Sequence, residues 1–142
     1  MKRFACVLSL LVSAACIAQT GDWLTVMGNK TDPAADTIEV NPIPLSTTEN
    51  HRVMKIRVSR SLQRTNWDGI PFRSYQATVE FDCENKVGNF QQITYYRQPL
   101  WAGEPHATTS YTRNDARPMR FRGVVPNPVE RIVRAACRPL TR

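Results

Sequence analysis

Residues 74–83 read SYQATVEFDC, and no other stretch of the chain alternates so regularly between apolar and polar side chains. Successive side chains of a β-strand point to opposite faces, so a period of two predicts a strand with one buried and one wet face. The buried face would carry Tyr75, Ala77, Val79, Phe81 and Cys83. This segment therefore predicts a half-buried strand that points a cysteine toward the core.

Five further strands are predicted from weaker patterns. They are residues 23–27, 37–40, 53–60, 89–96 and 108–112. In the third of these, apolar side chains alternate with Lys55 and Arg57, which places both cations on a polar face. A hairpin turn is predicted at residues 84–88, and the polar composition of residues 46–50 and 63–71 predicts loops.

The C-terminal part of the chain changes from a period of two to that of a helix. Asn127 can cap a helix, Pro128 suits its first position, and Glu130 follows three residues after the cap. The apolar residues at helical spacing are Val129, Ile132, Val133, Ala136 and Cys137. Because Pro139 ends the pattern, we expect a helix whose apolar stripe finishes at a cysteine.

Cys83 and Cys137 are predicted to form a disulfide. The other two cysteines, Cys6 and Cys16, lie in an N-terminal segment with the features of a leader, which leaves one pair in the exported part. In an exported protein such a pair favours a disulfide over a metal site or a nucleophile. Closing a loop of this length should raise the free energy of unfolding by about 4 kcal/mol.

These patterns together predict a single α+β domain. An antiparallel sheet of about six strands would carry a C-terminal helix, packed on one face and tied by the Cys83–Cys137 disulfide. A length of 142 residues leaves room for one domain. With 42% hydrophobic and 22% charged residues, the composition excludes wholesale disorder.

The N-terminus predicts export. Lys2 and Arg3 precede an apolar run that is too short to cross about 30 Å of hydrocarbon, which is typical of a secretory signal peptide. We expect a signal peptide of residues 1–18 and a domain of residues 19–142, in the periplasm or at the cell surface. The sequence SAAC around Cys16 loosely matches a lipobox, with Ser13 where an aliphatic residue is usual. A lipid anchor at Cys16 is therefore the alternative.

Few residues suit catalysis or metal binding. The chain has two histidines, His51 and His106, and no nucleophile-elbow motif. Glu80 and Asp82 share the polar face of one strand, which a solvated surface explains better than an acid–base pair. No spacing of histidines and cysteines matches a zinc site. We therefore predict no catalytic residue, no metal and no cofactor.

Basic residues exceed acidic ones, giving a formal net charge of +7. The candidate ligand-binding residues, on one predicted strand and at its exit, are Lys55, Arg57, Arg60 and Arg64. A second group precedes the helix and comprises Arg113, Arg117, Arg120 and Arg122. Such clusters attract polyanions, although a solvated surface of mixed sign would also explain them. Nucleic acid is not an expected partner, because an exported protein rarely meets it.

Several segments, taken in order, resemble the bacterial surface-adhesin protein E family. They are Trp23, TIEVNP at 37–42, RSY at 73–75, FDC at 81–83, YY at 95–96 and PNPVE at 126–130, followed by Ala136 and Cys137. The resemblance implies an antiparallel sheet with a disulfide-tied C-terminal helix, export to the cell envelope, and adhesion to extracellular-matrix and serum proteins. The chain departs from many relatives in having Asn127 and Pro128 where they have Gly and Ser, and in lacking a clear lipobox.

The expected function is that of an exported, non-enzymatic binding module. Its partners would be extracellular-matrix or envelope proteins or anionic glycans, and its contact with a membrane would be peripheral at most. The alternative is a structural envelope subunit that assembles, for example as a homodimer, through an exposed sheet edge. A hydrolase without a recognisable motif is the third hypothesis.

Overall fold

The computed structural model describes residues 22–139, which form one sheet of eight strands and a C-terminal helix. The strands are β1 (Leu24–Met27), β2 (Thr37–Val40), β3 (Ser46–Thr47), β4 (His51–Thr65), β5 (Pro71–Asp82), β6 (Val87–Tyr96), β7 (Pro105–Ser110) and β8 (Arg117–Pro118), and the helix is α1 (Val129–Ala136). The predicted signal peptide, residues 1–18 with Cys16, lies outside the described residues. Within residues 22–139, no helix has the length and apolar character needed to cross a membrane.

The sheet is antiparallel throughout and follows the order β1-β2-β4-β5-β6-β7. The two longest strands, β4 and β5, therefore occupy its centre. β3 pairs with the beginning of β4, and β8 pairs with the beginning of β6. The strand register shifts between Ser59 and Arg64, so that the last residues of β4 continue after an irregularity.

One face of the sheet carries the hydrophobic core, as the alternation in residues 74–83 predicts. Along β5, the side chains of odd-numbered residues from 75 to 81 are buried and those of even-numbered residues from 76 to 82 are less so. We call this the covered face; its residues are Ile38, Val40, Met54, Ile56, Val58, Tyr75, Ala77, Val79, Phe81, Phe90, Ile93 and Tyr95. Because each buried side chain of this size contributes about 1.5–3 kcal/mol, the covered face is the main source of stability.

The predicted helix and disulfide are both present. The amide N–H of Val129 donates to Asn127 Oδ1 at 3.1 Å, so Asn127 caps the helix, while Pro128 directly precedes its first residue. Three helix residues are buried and belong to the same hydrophobic cluster as the covered face: Ile132, Val133 and Ala136. Cys83 and Cys137 are bonded, with their Cα atoms 5.6 Å apart.

Arg52 holds the C-terminal end of the helix. Its Nη1 donates to the carbonyl oxygen of Ala136 at 3.1 Å and also to that of Arg138. The carbonyl groups at a helix C-terminus have no partner within the helix and carry partial negative charge, so a guanidinium there is favourable.

The sheet is larger than the predicted six strands. All six predicted strands exist. The strands β3 and β8 were not predicted, because each has only two residues and a strand of that length shows no periodicity. The predicted loops at residues 46–50 and 63–71 are partly wrong, since β3 occupies Ser46–Thr47 and β4 runs to Thr65. The irregular register after Ser59 breaks the alternation and hides this extension. The last predicted strand lies at Pro105–Ser110 rather than at residues 108–112.

Candidate functional site

The face of the sheet opposite the covered face is lined with polar side chains. Its central part, which we call the open face, consists of Lys55, Gln76, Thr78, Gln92, Thr94 and Tyr96. These six side chains and Ala77 surround a shallow depression of about 180 Å³. Lys55 and Gln92 are exposed and the others are half-buried, so the open face presents amide, hydroxyl and ammonium groups to solvent.

Strand register arranges the open face in rows. Lys55 pairs with Thr78 and Thr78 with Gln92, and the row continues to Ser110 on β7. The neighbouring row runs through Arg57, Gln76, Thr94 and Thr108. Side-chain hydrogen bonds link β6 to β7, from Gln92 Nε2 to Ser110 Oγ at 3.4 Å and between the Thr94 and Thr108 hydroxyls at 3.3 Å. Adjacent rows of donors and acceptors can bind a polar partner along several strands at once.

Arg57 lies in the second of these rows, next to Glu39 on β2, and is held in place by contacts within the fold. Its Nε donates to Glu39 Oε2 at 2.5 Å, and the Glu39 carboxylate is fully buried. Its guanidinium lies 4.4 Å from the ring centroid of Trp23 and 4.1 Å from that of Trp101, within cation–π distance of both. The Thr25 hydroxyl donates to the other Glu39 oxygen at 3.1 Å. Arg57 therefore neutralises a buried carboxylate beneath two indole rings.

Trp101 reaches Arg57 because the loop after β6 folds back against the sheet. Leu100 and Trp101 have positive φ values of 53° and 59°, which are costly for residues with a Cβ. Two serines hold this backbone: the Leu100 N–H donates to Ser59 Oγ at 2.9 Å and the Trp101 N–H to Ser74 Oγ at 3.0 Å. Both serines are fully buried, so these hydrogen bonds are protected from water.

The other two candidate arginines reach the segment between β8 and α1. Arg60 is buried, and its Nε donates to Asp36 Oδ1 at 2.9 Å while its Nη2 donates to the Arg122 carbonyl oxygen at 2.9 Å. The guanidinium of Arg64 lies beside Gly123, where a Cβ would stand 3.0 Å from Nη2. Both side chains thus contact the segment that leads into the helix.

The structure therefore separates the four candidate ligand-binding residues. Lys55 lies exposed on the open face, and Arg57 lies at its border in the contact with Glu39. Arg60 and Arg64 are turned toward the segment that precedes α1. The polar partners of Lys55 on β5 and β6 were not named from the sequence, although the strict alternation of residues 74–83 already assigns Gln76 and Thr78 to its face.

The second basic group is also divided. The guanidinium of Arg117 lies 5.9 Å from the ring of Trp67 and 5.6 Å from that of Tyr111, and its Nη2 is 3.2 Å from Asp115 Oδ1. Arg113 is almost fully exposed and lies 3.5 Å from Glu80 Oε1. Arg120 and Arg122 are exposed. Each of the first two cations has an acidic neighbour, which reduces the local positive potential.

The residues considered for acid–base chemistry have structural partners. Asp82 accepts hydrogen bonds from Asn85 and from the Glu84 N–H in the β5–β6 turn, which holds the pKa of its carboxyl below the usual range. His51 Nε2 lies 3.7 Å from Asp82 Oδ2, and His106 Nε2 lies 2.8 Å from the Pro71 carbonyl oxygen. Among residues 22–139, no group of three or more histidine, cysteine or acidic side chains could hold a metal ion.

Comparison with known proteins identifies one family. The family model of surface-adhesin protein E matches residues 23–138, which is most of the chain and includes both bonded cysteines. No curated protein and no solved structure matches. The matched region contains every strand and the helix described above. This chain belongs to the surface-adhesin protein E family.

Proposed function

We propose that this protein is an exported, non-enzymatic adhesin that binds extracellular-matrix or envelope proteins or anionic glycans through its open face. Membership of a family of surface adhesins implies an exported or surface protein, and this membership is the observation that carries the proposal. The rows of polar side chains on the open face support it, because they offer hydrogen-bonding groups from neighbouring strands. The signal peptide expected at residues 1–18 is consistent with export.

The chemistry of the open face favours a polar partner with some negative charge. Amide and hydroxyl groups dominate it, and Lys55 supplies an exposed cation. Exposed charges steer association and contribute modestly to affinity. Binding should therefore weaken as salt is added.

Retention on immobilised heparin, as a defined anionic glycan, tests this proposal. Lys55→Gln removes the central cation and Thr94→Glu places a carboxylate in the adjacent row, so both variants should elute at lower salt than the wild-type protein. The matched controls Lys30→Gln and Thr31→Glu change exposed residues of the β1–β2 loop and should elute with the wild type. Equal elution of all five proteins, or an equal loss of retention in both pairs of variants, would show that the open face is not the heparin-binding surface.

A second candidate function is assembly with other copies of the chain. The two outer strands of the sheet, β1 and β7, contain no charged residue, and charged side chains are a common protection of such edges. Pairing of these edges would extend the sheet between copies. A rise in mass with concentration in light scattering would support assembly, and a constant monomer mass at micromolar concentrations would exclude it.

A further inference from the structure

A groove lies between α1 and the β5–β6 turn, away from the open face. It has a volume of about 630 Å³, and its lining includes the Cys83–Cys137 disulfide, Val129, Val133 and Pro139. Apolar atoms of the lining residues form most of its surface. None of its lining residues belongs to the open face, so the groove is a separate surface.

The walls of the groove are fixed before any ligand arrives. The disulfide joins the end of β5 to the end of α1, and Arg52 holds the carbonyl oxygens of Ala136 and Arg138. At the other end of the helix, Asn127 caps the N–H of Val129. A groove held at both ends loses little conformational entropy when it binds a ligand.

Positive charge surrounds this apolar floor. Lys86, Arg134 and Arg138 line the groove together with one carboxylate, that of Glu130. Glu130 Oε1 accepts a hydrogen bond from Arg134 Nη2 at 2.9 Å, so these two charges neutralise each other. Lys86 and Arg138 then give the lining of the groove a net positive charge. An apolar floor with a cationic rim is complementary to a molecule that has an apolar chain and an anionic head.

We propose that the groove binds a single-chain amphipathic anion, namely a long-chain carboxylate. The acyl chain would lie along the disulfide and the two valines, where removal of each methylene from water is favourable. The carboxylate would stand at the rim beside Lys86 and Arg138. The groove volume is in the range of small-molecule sites, about 300–1,000 Å³, which suits one chain.

Other occupants fit the groove less well. An anionic glycan would satisfy the cations, but it has no apolar chain to cover the disulfide and the valines. A second copy of the chain would bring two cationic rims together, and like charges in contact are unfavourable. The proposal is independent of the function assigned to the open face, because the two surfaces share no residue.

Calorimetric titration with sodium dodecanoate, below its micelle concentration at neutral pH, tests the proposal on the oxidised protein. We expect one dodecanoate per chain and no comparable binding of dodecyltrimethylammonium, which has the same chain with a cationic head. Lys86→Asn and Arg138→Gln should each weaken binding about two- to fivefold, the range for a solvated ion pair. Asn tolerates the left-handed backbone at Lys86, where φ is 57°, so the turn should persist.

The matched control is Arg131→Gln. Arg131 lies on the same helix, is exposed and does not line the groove, so this variant removes one positive charge and should bind dodecanoate as the wild type does. Thermal unfolding of each variant establishes that it is folded. The proposal is overturned by an absence of binding, by equal binding of the cationic amphiphile, or by an equal loss in the Arg131 control. Binding to anionic vesicles without binding of monomeric dodecanoate would assign the groove to a membrane surface and would also overturn it.

Discussion

At the scale of single residues, Arg57 is a candidate ligand-binding cation that also has a structural role. Its guanidinium contacts Glu39, Trp23 and Trp101, and the Glu39 carboxylate is fully buried. Replacing Arg57 by Ala would leave that carboxylate without its counter-ion, and breaking a buried pair in this way costs about 3 kcal/mol or more. We therefore expect Arg57→Ala to lower the free energy of unfolding by about 3 kcal/mol in urea denaturation.

Lys55→Ala is the control for this prediction. Lys55 is exposed two residues earlier on the same strand, and surface substitutions usually change stability by about 0.5 kcal/mol or less. If the Arg57 and Lys55 variants unfold at the same urea concentration, the contact between Arg57 and Glu39 contributes no stability. Simultaneous replacement of Lys55, Arg57, Arg60 and Arg64 would not separate a loss of binding from a loss of stability. Arg57 and Arg60 each form an ion pair within the fold, with Glu39 and Asp36.

Asp36 gives the stability a defined pH dependence. Burial raises the pKa of Asp36, but the Ser61 N–H and the Arg60 guanidinium favour the charged form and together hold the pKa below its ordinary value of 3.8. The carboxylate therefore stabilises the fold above pH 3.8, and this contribution is lost as the pH falls through the lower, folded-state pKa. Asp36→Asn should be less stable than the wild type by about 1–3 kcal/mol at neutral pH. The difference should shrink in acid, and a difference independent of pH would contradict this role.

At the scale of elements, the sequence predicts those strands and helices whose apolar and polar residues alternate with a regular period. Residues 74–83 alternate without a break, so the strand, its buried face and the direction of Cys83 follow directly, and the stripe from Val129 to Cys137 does the same for the helix. The end of β4 follows a shift of register after Ser59 and carries no such pattern. Arg57 is partly covered by a loop whose backbone has positive φ values at Leu100 and Trp101. The sequence of this loop has no pattern that predicts such a conformation.

The disulfide joins the two best-predicted elements, and its removal is the test at this scale. Closing a loop of 54 residues should contribute about 4 kcal/mol to the free energy of unfolding. The double variant Cys83→Ala/Cys137→Ala should therefore lose about this amount in urea denaturation, with faster amide exchange in α1 than in β5. A loss below about 1 kcal/mol would show that burial of Ile132, Val133 and Ala136 holds the helix without the bond.

At the scale of the whole molecule, one face of the sheet carries the hydrophobic core and the opposite face presents polar side chains to solvent. The covered face and the buried residues of α1 form one hydrophobic cluster, whereas the opposite side of the same strands presents rows of polar groups. The sequence placed Lys55 on a polar face correctly but grouped it with arginines that the three-dimensional structure directs elsewhere. The neighbours of Lys55 in space come from other strands and not from its own. They are Thr78 on β5 and, one strand further, Gln92 on β6.

Amide chemical-shift mapping with a heparin-derived oligosaccharide determines whether the open face is the binding surface. Titration into the ¹⁵N-labelled protein should shift the amides of Lys55, Thr78, Gln92 and Thr94 together, with a common dissociation constant that rises with salt. Shifts confined to the exposed arginines at positions 113, 120 and 122, with the open-face amides unmoved, would show that the oligosaccharide binds elsewhere and that the open face is not the binding surface.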